Sequence, residues 1–269
     1  MHNGGFTQHG PRTLTCDMLS QNGQVRHGFS LNREGVSAGR FASLNLGVHT
    51  KDQKKAVEEN FALFCRELSI DPEHLVLAQQ THSTNIRAVT KKDVGKGLYK
   101  ESDFFETDGL ITDEPGVALA TFYADCTPIL LFDPVTRAIG SVHSGWRGTL
   151  GKIVQHAVLA LKKHYGSRPE DILVAMGPSI KSCHFEVDAD VYYAFAERFR
   201  GAVERNTKKL GEKFYINTDA LNVQSLLEVG VPESQISICH LCTYCEKDMF
   251  FSHRRSGETG RMCAVIELI

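Results

Sequence analysis

The chain has 269 residues, 42% of them hydrophobic, with 30 Lys and Arg against 32 Asp and Glu for a formal net charge of −2. That length can bury a sizeable core, and the charge balance lacks the basic excess that gathers nucleic-acid backbones or anionic lipid. The opening stretch MHNGGFTQHGPRTLTCDML lacks the basic-then-apolar order of a secretory leader, and no apolar run approaches the roughly 20 residues of a spanning helix, so a cytoplasmic protein without membrane or nucleic-acid partners is expected.

In chain order, KKAVEENFALFCRELSI (54–70) carries helical periodicity and HLVLA (74–78) reads as a strand. Further strand-like runs follow: GLIT (109–112), GVALATFYA (116–124), PILLFD (128–133) and AIGSVH (138–143), the last two joined as an antiparallel hairpin through Asp133-Pro134. In TLGKIVQHAVLALKKHYG (149–166), Ile153, Val154, Ala157, Val158 and Leu161 keep three-and-four spacing. Thr149 is placed to cap this helix, Lys162 and Lys163 suit its last turn, and Gly166 stops it. DILVAMG (171–177) and QISIC (235–239) are strands, VDADVYYAFAERF (187–199) a helix, and GAVERNTKKLGEK (201–213) a charged surface excursion. The expected fold class is α/β (α+β), a mixed sheet with helices packed outside it, in a single domain spanning 1–269.

Eight cysteines, at 16, 65, 126, 183, 239, 242, 245 and 263, read as reduced thiols, mostly small buried hydrophobes. CHLCTYC (239–245) spaces three thiols at intervals of three without an evident fourth partner, which favours packed or loosely exposed thiols over a metal knuckle. Chemistry gathers where apolar runs end: His82 after HLVLA, Asp125-Cys126 after GVALATFYA, and His143 at the end of AIGSVH. Two imidazoles and a thiolate can hold a catalytic zinc that keeps its fourth position open. With twelve histidines and eight cysteines, chance trios are easy to find, so spacing alone does not establish the site. Local company adds weight: Gly145, Trp146, Arg147 and Gly148 precede the expected helix start, where backbone N–H groups attract an anion and Arg147 adds a planar fork for phosphate. Asp125 is a candidate base or partner of the trio, although neighbours on a strand point to opposite faces. GETGRM (257–262), with Ser252, His253, Arg254, Arg255 and Arg261, could line a pocket with positive charge or form a solvated loop. GWRGTLGK misses the phosphate-loop spacing by one residue, and no G-x-S-x-G or G-x-G-x-x-G occurs.

The segments GFSLNREGVSAGRFASLNLG (28–47), QQTHSTN (79–85), DGLIT (108–112), ADCTPILLFD (124–133), VHSGWRGT (142–149), GPSIKSCHFEV (177–187) and FFSHRRSGETGRM (250–262) together resemble the polyphenol oxidase laccase domain, or YfiH-like, family. They run in order over nearly the whole chain. The family more often has alanine where Ser144 stands and proline near Arg40. The resemblance implies layered α-β-β-α sheets, zinc on His82, Cys126 and His143, and phosphorolysis of purine nucleosides (adenosine, inosine, S-methyl-5′-thioadenosine), with adenosine deamination as a second activity. Nucleoside and phosphate are then the expected small-molecule partners, with Arg147, Arg40 and Arg254 as phosphate contacts and Asn45 as a ribose or base contact.

Three other readings compete. Cys126 and His143 without metal could act as nucleophile and base of a hydrolase or deamidase, and the YfiH-like fold is similar to that of toxin deamidases using such a dyad. Copper on the same trio would suit a polyphenol oxidase, but the histidines all stand singly, with no His-x-His pair. A non-catalytic zinc staple needs a fourth ligand, from Cys183 or His184.

Overall fold

The structure, a computed structural model, describes residues 5–269; residues 1–4 of the opening stretch read for a leader lie outside the described residues. Two six-stranded mixed sheets stack face to face. The first runs, in spatial order, Phe6–His9, Thr13–Cys16, Val25–Ser30, Met262–Leu268, Ala118–Tyr123 and Leu75–Leu77. The second runs Ile236–Ile238, Leu173–Met176, Thr127–Asp133, Ala138–Ser144, Gly109–Thr112 and Ile86–Ala88. Between them, Phe29, Leu119 and Ile266 of the first sheet pack with Leu130, Phe132 and Ala175 of the second. Central strands such as Ala118–Tyr123 and Thr127–Asp133 are buried along their whole length, which is why they read as unbroken apolar runs instead of alternating ones.

Helices cover both outer faces. Val57, Phe61, Phe64 and Cys65 of Lys54–Leu68 press on Leu75, Ala118 and Val265, and Ile153, Val154, Ala157, Val158 and Leu161 of Ile153–Tyr165 press on Ile129, Leu131 and Val142. Each fully buried Phe of this kind contributes about 1.5–3 kcal/mol through water exclusion. The result is the α-β-β-α layering that the resemblance implies. The helix at 153–165 ends as its sequence dictates: Gly166 takes φ +75°, and its N–H bonds the Lys162 carbonyl.

Two local expectations change. Thr149 does not cap the long helix; it lies inside a separate short helix, Trp146–Leu150, entered from Gly145, and the long helix starts after Lys152 at φ +57°. The Thr149 hydroxyl instead joins Ser144 (2.9 Å), which also bonds Asn222 (3.0 Å), so the serine at 144 anchors a buried polar network. The charged stretch 201–213 is also more than an excursion. Thr207–Leu210 pairs antiparallel with Lys213–Ile216, which pairs with Glu186–Val187, and the small sheet packs through Phe214 and Ile216 on Phe195 and Leu221. No helix among the described residues is long and apolar enough to cross a membrane.

Candidate metal centre and active site

The hairpin register brings the thiol to its first imidazole. Thr127 pairs with Ser144 and Pro128 with His143, so Cys126, one residue before the strand, falls opposite Gly145. In such a pairing the diagonal neighbour, here His143, shares the face of Cys126. Gly145 is required by this approach: a Cβ there would lie 2.5 Å from His82 Cδ2 and 3.2 Å from the Cys126 sulfur.

His82 arrives from the loop after Leu75–Leu77, and one buried acid holds that loop. The Asp108 carboxylate accepts the backbone N–H groups of Thr81 (3.0 Å), His82 (3.0 Å) and Ser83 (2.8 Å) and the Ser83 hydroxyl (2.8 Å). These bonds hold His82 at φ +65°, a conformation non-glycine residues rarely adopt. Asp108 also contacts His143 Nδ1 at 2.8 Å, leaving Nε2 for the centre. Asp108 therefore positions both imidazoles. It is not among the sequence candidates, although it stands immediately before the apolar strand GLIT and opens the DGLIT segment that carries part of the family resemblance.

The nearest ligand atoms of His82, Cys126 and His143 all lie within 4.8 Å of one another, with the Cys126 sulfur 3.8 Å from His82 Nε2. Zinc bonds of about 2.3 Å to sulfur and about 2.0 Å to nitrogen at a tetrahedral angle place such atoms about 3.5 Å apart. The trio therefore fits a metal ion, with His143 oriented by a carboxylate as metal-binding histidines usually are. Burial pushes the Cys126 thiol up, but the charge and hydrogen bond of His143 and the hydrogen bond of His82 outweigh it and bring the pKa down to about 6. Burial lowers His143, while the Cys126 thiolate and Asp108 raise it further, to about 9. Without metal, these opposite shifts favour a thiolate beside an imidazolium between about pH 6 and pH 9.

Two cavities meet at this centre. The larger, about 440 Å³, is lined by His49, Phe122, His143, His253 and Arg261 besides the thiol; the smaller, about 230 Å³, by Trp146, Ile180, Phe185 and Arg254. His82, Cys126 and His253 border both. His253, Arg254 and Arg261 thus carry the basic character considered for the GETGRM region. Arg255 is committed to the carbonyls of Thr243, Tyr244 and Phe250, and Ser252 caps the Arg255 N–H.

The other sequence candidates do not join the trio. Asp125, at φ +95°, lines the smaller cavity and accepts from the Thr243 hydroxyl and the Arg254 backbone N–H, both at 2.7 Å, while the acid that bonds His143 is Asp108. Arg147 is exposed and stacks on Trp146, 4.1 Å from the ring centroid, and lines neither cavity. Arg40 pairs with Glu258 on the surface. Asn45 is fully buried: its amide donates to Thr50 and Asp52 and its oxygen accepts from the N–H groups of Gly47 and Arg261, which uses up its capacity for a ribose. Cys183 and His184 do not join the trio; they lie with Cys242 and Cys245. Cys16, Cys65, Cys239 and Cys263 are buried, and burial raises Cys65 to about 12 and Cys239 to about 11.

The chain is 37% identical over 267 residues to purine nucleoside phosphorylase YlmD of Geobacillus stearothermophilus, covering 97% of this chain and 96% of that protein. It is 34% identical over 258 residues to a purine nucleoside phosphorylase of Bacteroides thetaiotaomicron, covering 95% and 96%. Among solved structures, the Bacillus licheniformis hypothetical protein YfiH superposes with a TM-score of 0.93 at 34% identity, covering 98% of this chain and 99% of that one. YlmD of Geobacillus stearothermophilus gives 0.91 at 35% identity, again covering 98% and 99%. The family model described as multi-copper polyphenol oxidoreductase laccase matches residues 26–269. With that match over nearly all of the sequence and the same fold in its YfiH and YlmD neighbours, the chain belongs to the YfiH-like, laccase-domain family.

Proposed function

We propose that residues 1–269 form one catalytic unit, a zinc-dependent purine nucleoside phosphorylase. The observation that carries this reading is the junction of two cavities at His82 and Cys126, with cationic side chains on either side. Relatives named purine nucleoside phosphorylase support it. A zinc ion held by His82, Cys126 and His143 supplies Lewis acidity at an open position when bound.

The chain's own groups do the rest. The larger cavity has the volume for a nucleoside, with Arg261 and His49 as polar contacts to ribose or base. The smaller one takes phosphate beside Arg254, whose Nη1 is already fixed by the carbonyls of His184 (3.2 Å) and Glu186 (3.0 Å). At the junction, a phosphate oxygen bonds to C1′ as the C1′–N9 bond breaks. The bonding pair leaves with the purine, and a proton must reach that base. His253 borders both cavities, its Nδ1 2.8 Å from the Gly257 carbonyl, and in its protonated form it delivers that proton. Holding the two reactants in adjoining cavities supplies the proximity part of the rate enhancement. Deamination of adenosine is a second activity proposed for the same centre, read as inosine formed from adenosine.

The test is phosphate-dependent release of hypoxanthine from inosine by the wild type, Cys126→Ala and Cys239→Ala. Loss confined to Cys126→Ala supports the reading; equal loss in both, or in neither, sinks it. The same geometry supports a second reading, a metal-free Cys126–His143 hydrolase: His143, held through Nδ1 by Asp108, stands within 4.8 Å of the thiol, whose pKa this neighbour lowers. A zinc-free purified protein that is alkylated rapidly at Cys126 would select it. Copper on the trio ranks third, and absence of a visible thiolate-to-copper band after copper loading retires it.

A further inference from the structure

A second cluster of metal-ligating side chains lies apart from the trio. Cys183 and His184, in the turn after Lys181, meet Cys242 and Cys245, spaced as Cys-x-x-Cys. One ligand atom of each lies within 4.8 Å of every other. The Cys183 sulfur is 3.6 Å from that of Cys242 and 3.8 Å from that of Cys245, and His184 Nδ1 is 3.2 Å from Cys183 and 3.4 Å from Cys245.

These distances discriminate between a disulfide and a metal. A disulfide requires sulfurs about 2.05 Å apart. Two zinc–thiolate bonds of about 2.3 Å at a tetrahedral angle put them about 3.8 Å apart, and a thiolate–imidazole pair about 3.5 Å apart. The surroundings also suit an ion. The Lys181 N–H donates to the Cys242 sulfur at 3.4 Å, and His184 is stacked on Tyr244 with ring centroids 3.9 Å apart and planes 19° apart. Cys242 is buried while Cys183 and Cys245 are exposed, which leaves an entry path.

We propose that Cys183, His184, Cys242 and Cys245 form a closed, four-ligand structural site for a thiophilic divalent cation of the zinc class. Such a site clamps the Lys181–His184 turn to the Cys242–Cys245 turn. The clamp reaches the catalytic pocket: Thr243, beside Cys242, donates to Asp125 next to Cys126, and the His184 carbonyl holds Arg254.

The test counts metal in the untagged full chain by elemental analysis and follows Co²⁺ loading by visible absorption. The wild type is expected to hold about two zinc equivalents, and Cys126→Ala and the double variant C183S/C245S about one each. Cobalt-loaded Cys126→Ala should keep the d–d and thiolate charge-transfer bands of a tetrahedral site. Chelation of zinc-loaded Cys126→Ala should lower its melting temperature, a readout that does not depend on whether the double variant folds. A Cys126→Ala protein that binds neither zinc nor cobalt overturns the proposal, as does a mapped disulfide among Cys183, Cys242 and Cys245. The result is independent of nucleoside turnover, so absence of phosphorolysis from wild-type protein that retains metal here would count against the proposed function alone.

Discussion

Asp108 and His143 are joined twice: the carboxylate contacts the ring Nδ1 at 2.8 Å, and the His143 N–H donates to the Asp108 carbonyl, also at 2.8 Å. The same carboxylate gathers the backbone that carries His82. Asp108→Asn keeps the shape but places an amide among donors, and loss of such an orienting carboxylate typically costs metal affinity about 10–100-fold. Competition of the purified variant against a zinc chelator measures this; affinity within a factor of about two of wild type would contradict the assigned role of Asp108.

The pH dependence of Cys126 follows from its neighbours. Its folded pKa is lowered, so the thiolate in metal-free protein forms as pH rises through about 6, and its imidazolium partner persists until pH passes about 9. Iodoacetamide labelling of the apoprotein at Cys126 should therefore rise around pH 6, well below the range of an ordinary thiol near 8.5. His143→Ala should move that rise upward, and zinc should suppress labelling. A midpoint that His143→Ala leaves in place would refute the pairing.

Gly145→Ala tests the close approach of the hairpin to His82. The added methyl meets the ring at 2.5 Å and must displace it. Zinc content and turnover should fall together, while far-UV circular dichroism stays native. Full zinc occupancy would show that the loop yields without loss of the site.

Asn45 separates a structural role from a binding one. Its side chain makes four hydrogen bonds inside the protein, so Asn45→Ala should destabilise folding by about 2–4 kcal/mol, leaving buried partners unpaired. Urea denaturation gives that number. An unchanged midpoint with a raised KM for nucleoside would restore Asn45 as a ribose or base contact.

Two arginines should differ in their effect on phosphate. Arg254 lines the smaller cavity, whereas Arg147 lies on Trp146 outside both cavities. Arg254→Gln should raise KM for phosphate about tenfold or more, the scale of one lost charge-assisted contact of about 1.5–3 kcal/mol, and Arg147→Ala should leave it unchanged. The reverse pattern would return the phosphate site to the Gly145–Gly148 turn.

The strands and covering helices were legible from local patterns, unbroken apolar runs and three-and-four spacing, and the trio was a candidate from reactive residues at the ends of runs, whereas the α-β-β-α layering came only with the family resemblance. The hairpin through Asp133-Pro134 even fixes why Cys126 and His143 meet. What escaped depends on contacts distant in sequence. Asp108 is one acid among many until the fold closes on the Thr81–Ser83 loop, and Cys242 and Cys245 lack partners until the turn at Cys183 arrives. Asp125 follows a strand, but a positive φ, which sequence does not announce, brings its carboxylate to Thr243 and Arg254 at the wall of the smaller cavity instead of to the trio. Thr207–Leu210 is mostly exposed and rich in lysine, so no apolar alternation marks it as a strand. Met262–Leu268 carries an apolar run that would have identified it as a strand.

Because Cys126 lines both adjoining cavities, the reactive residue sits at their common wall and not at the end of either one. Guests of the two cavities therefore meet against the same residues, His82, Ala124, Cys126 and His253. A side chain shifted at that shared wall then reshapes the room on both sides at once.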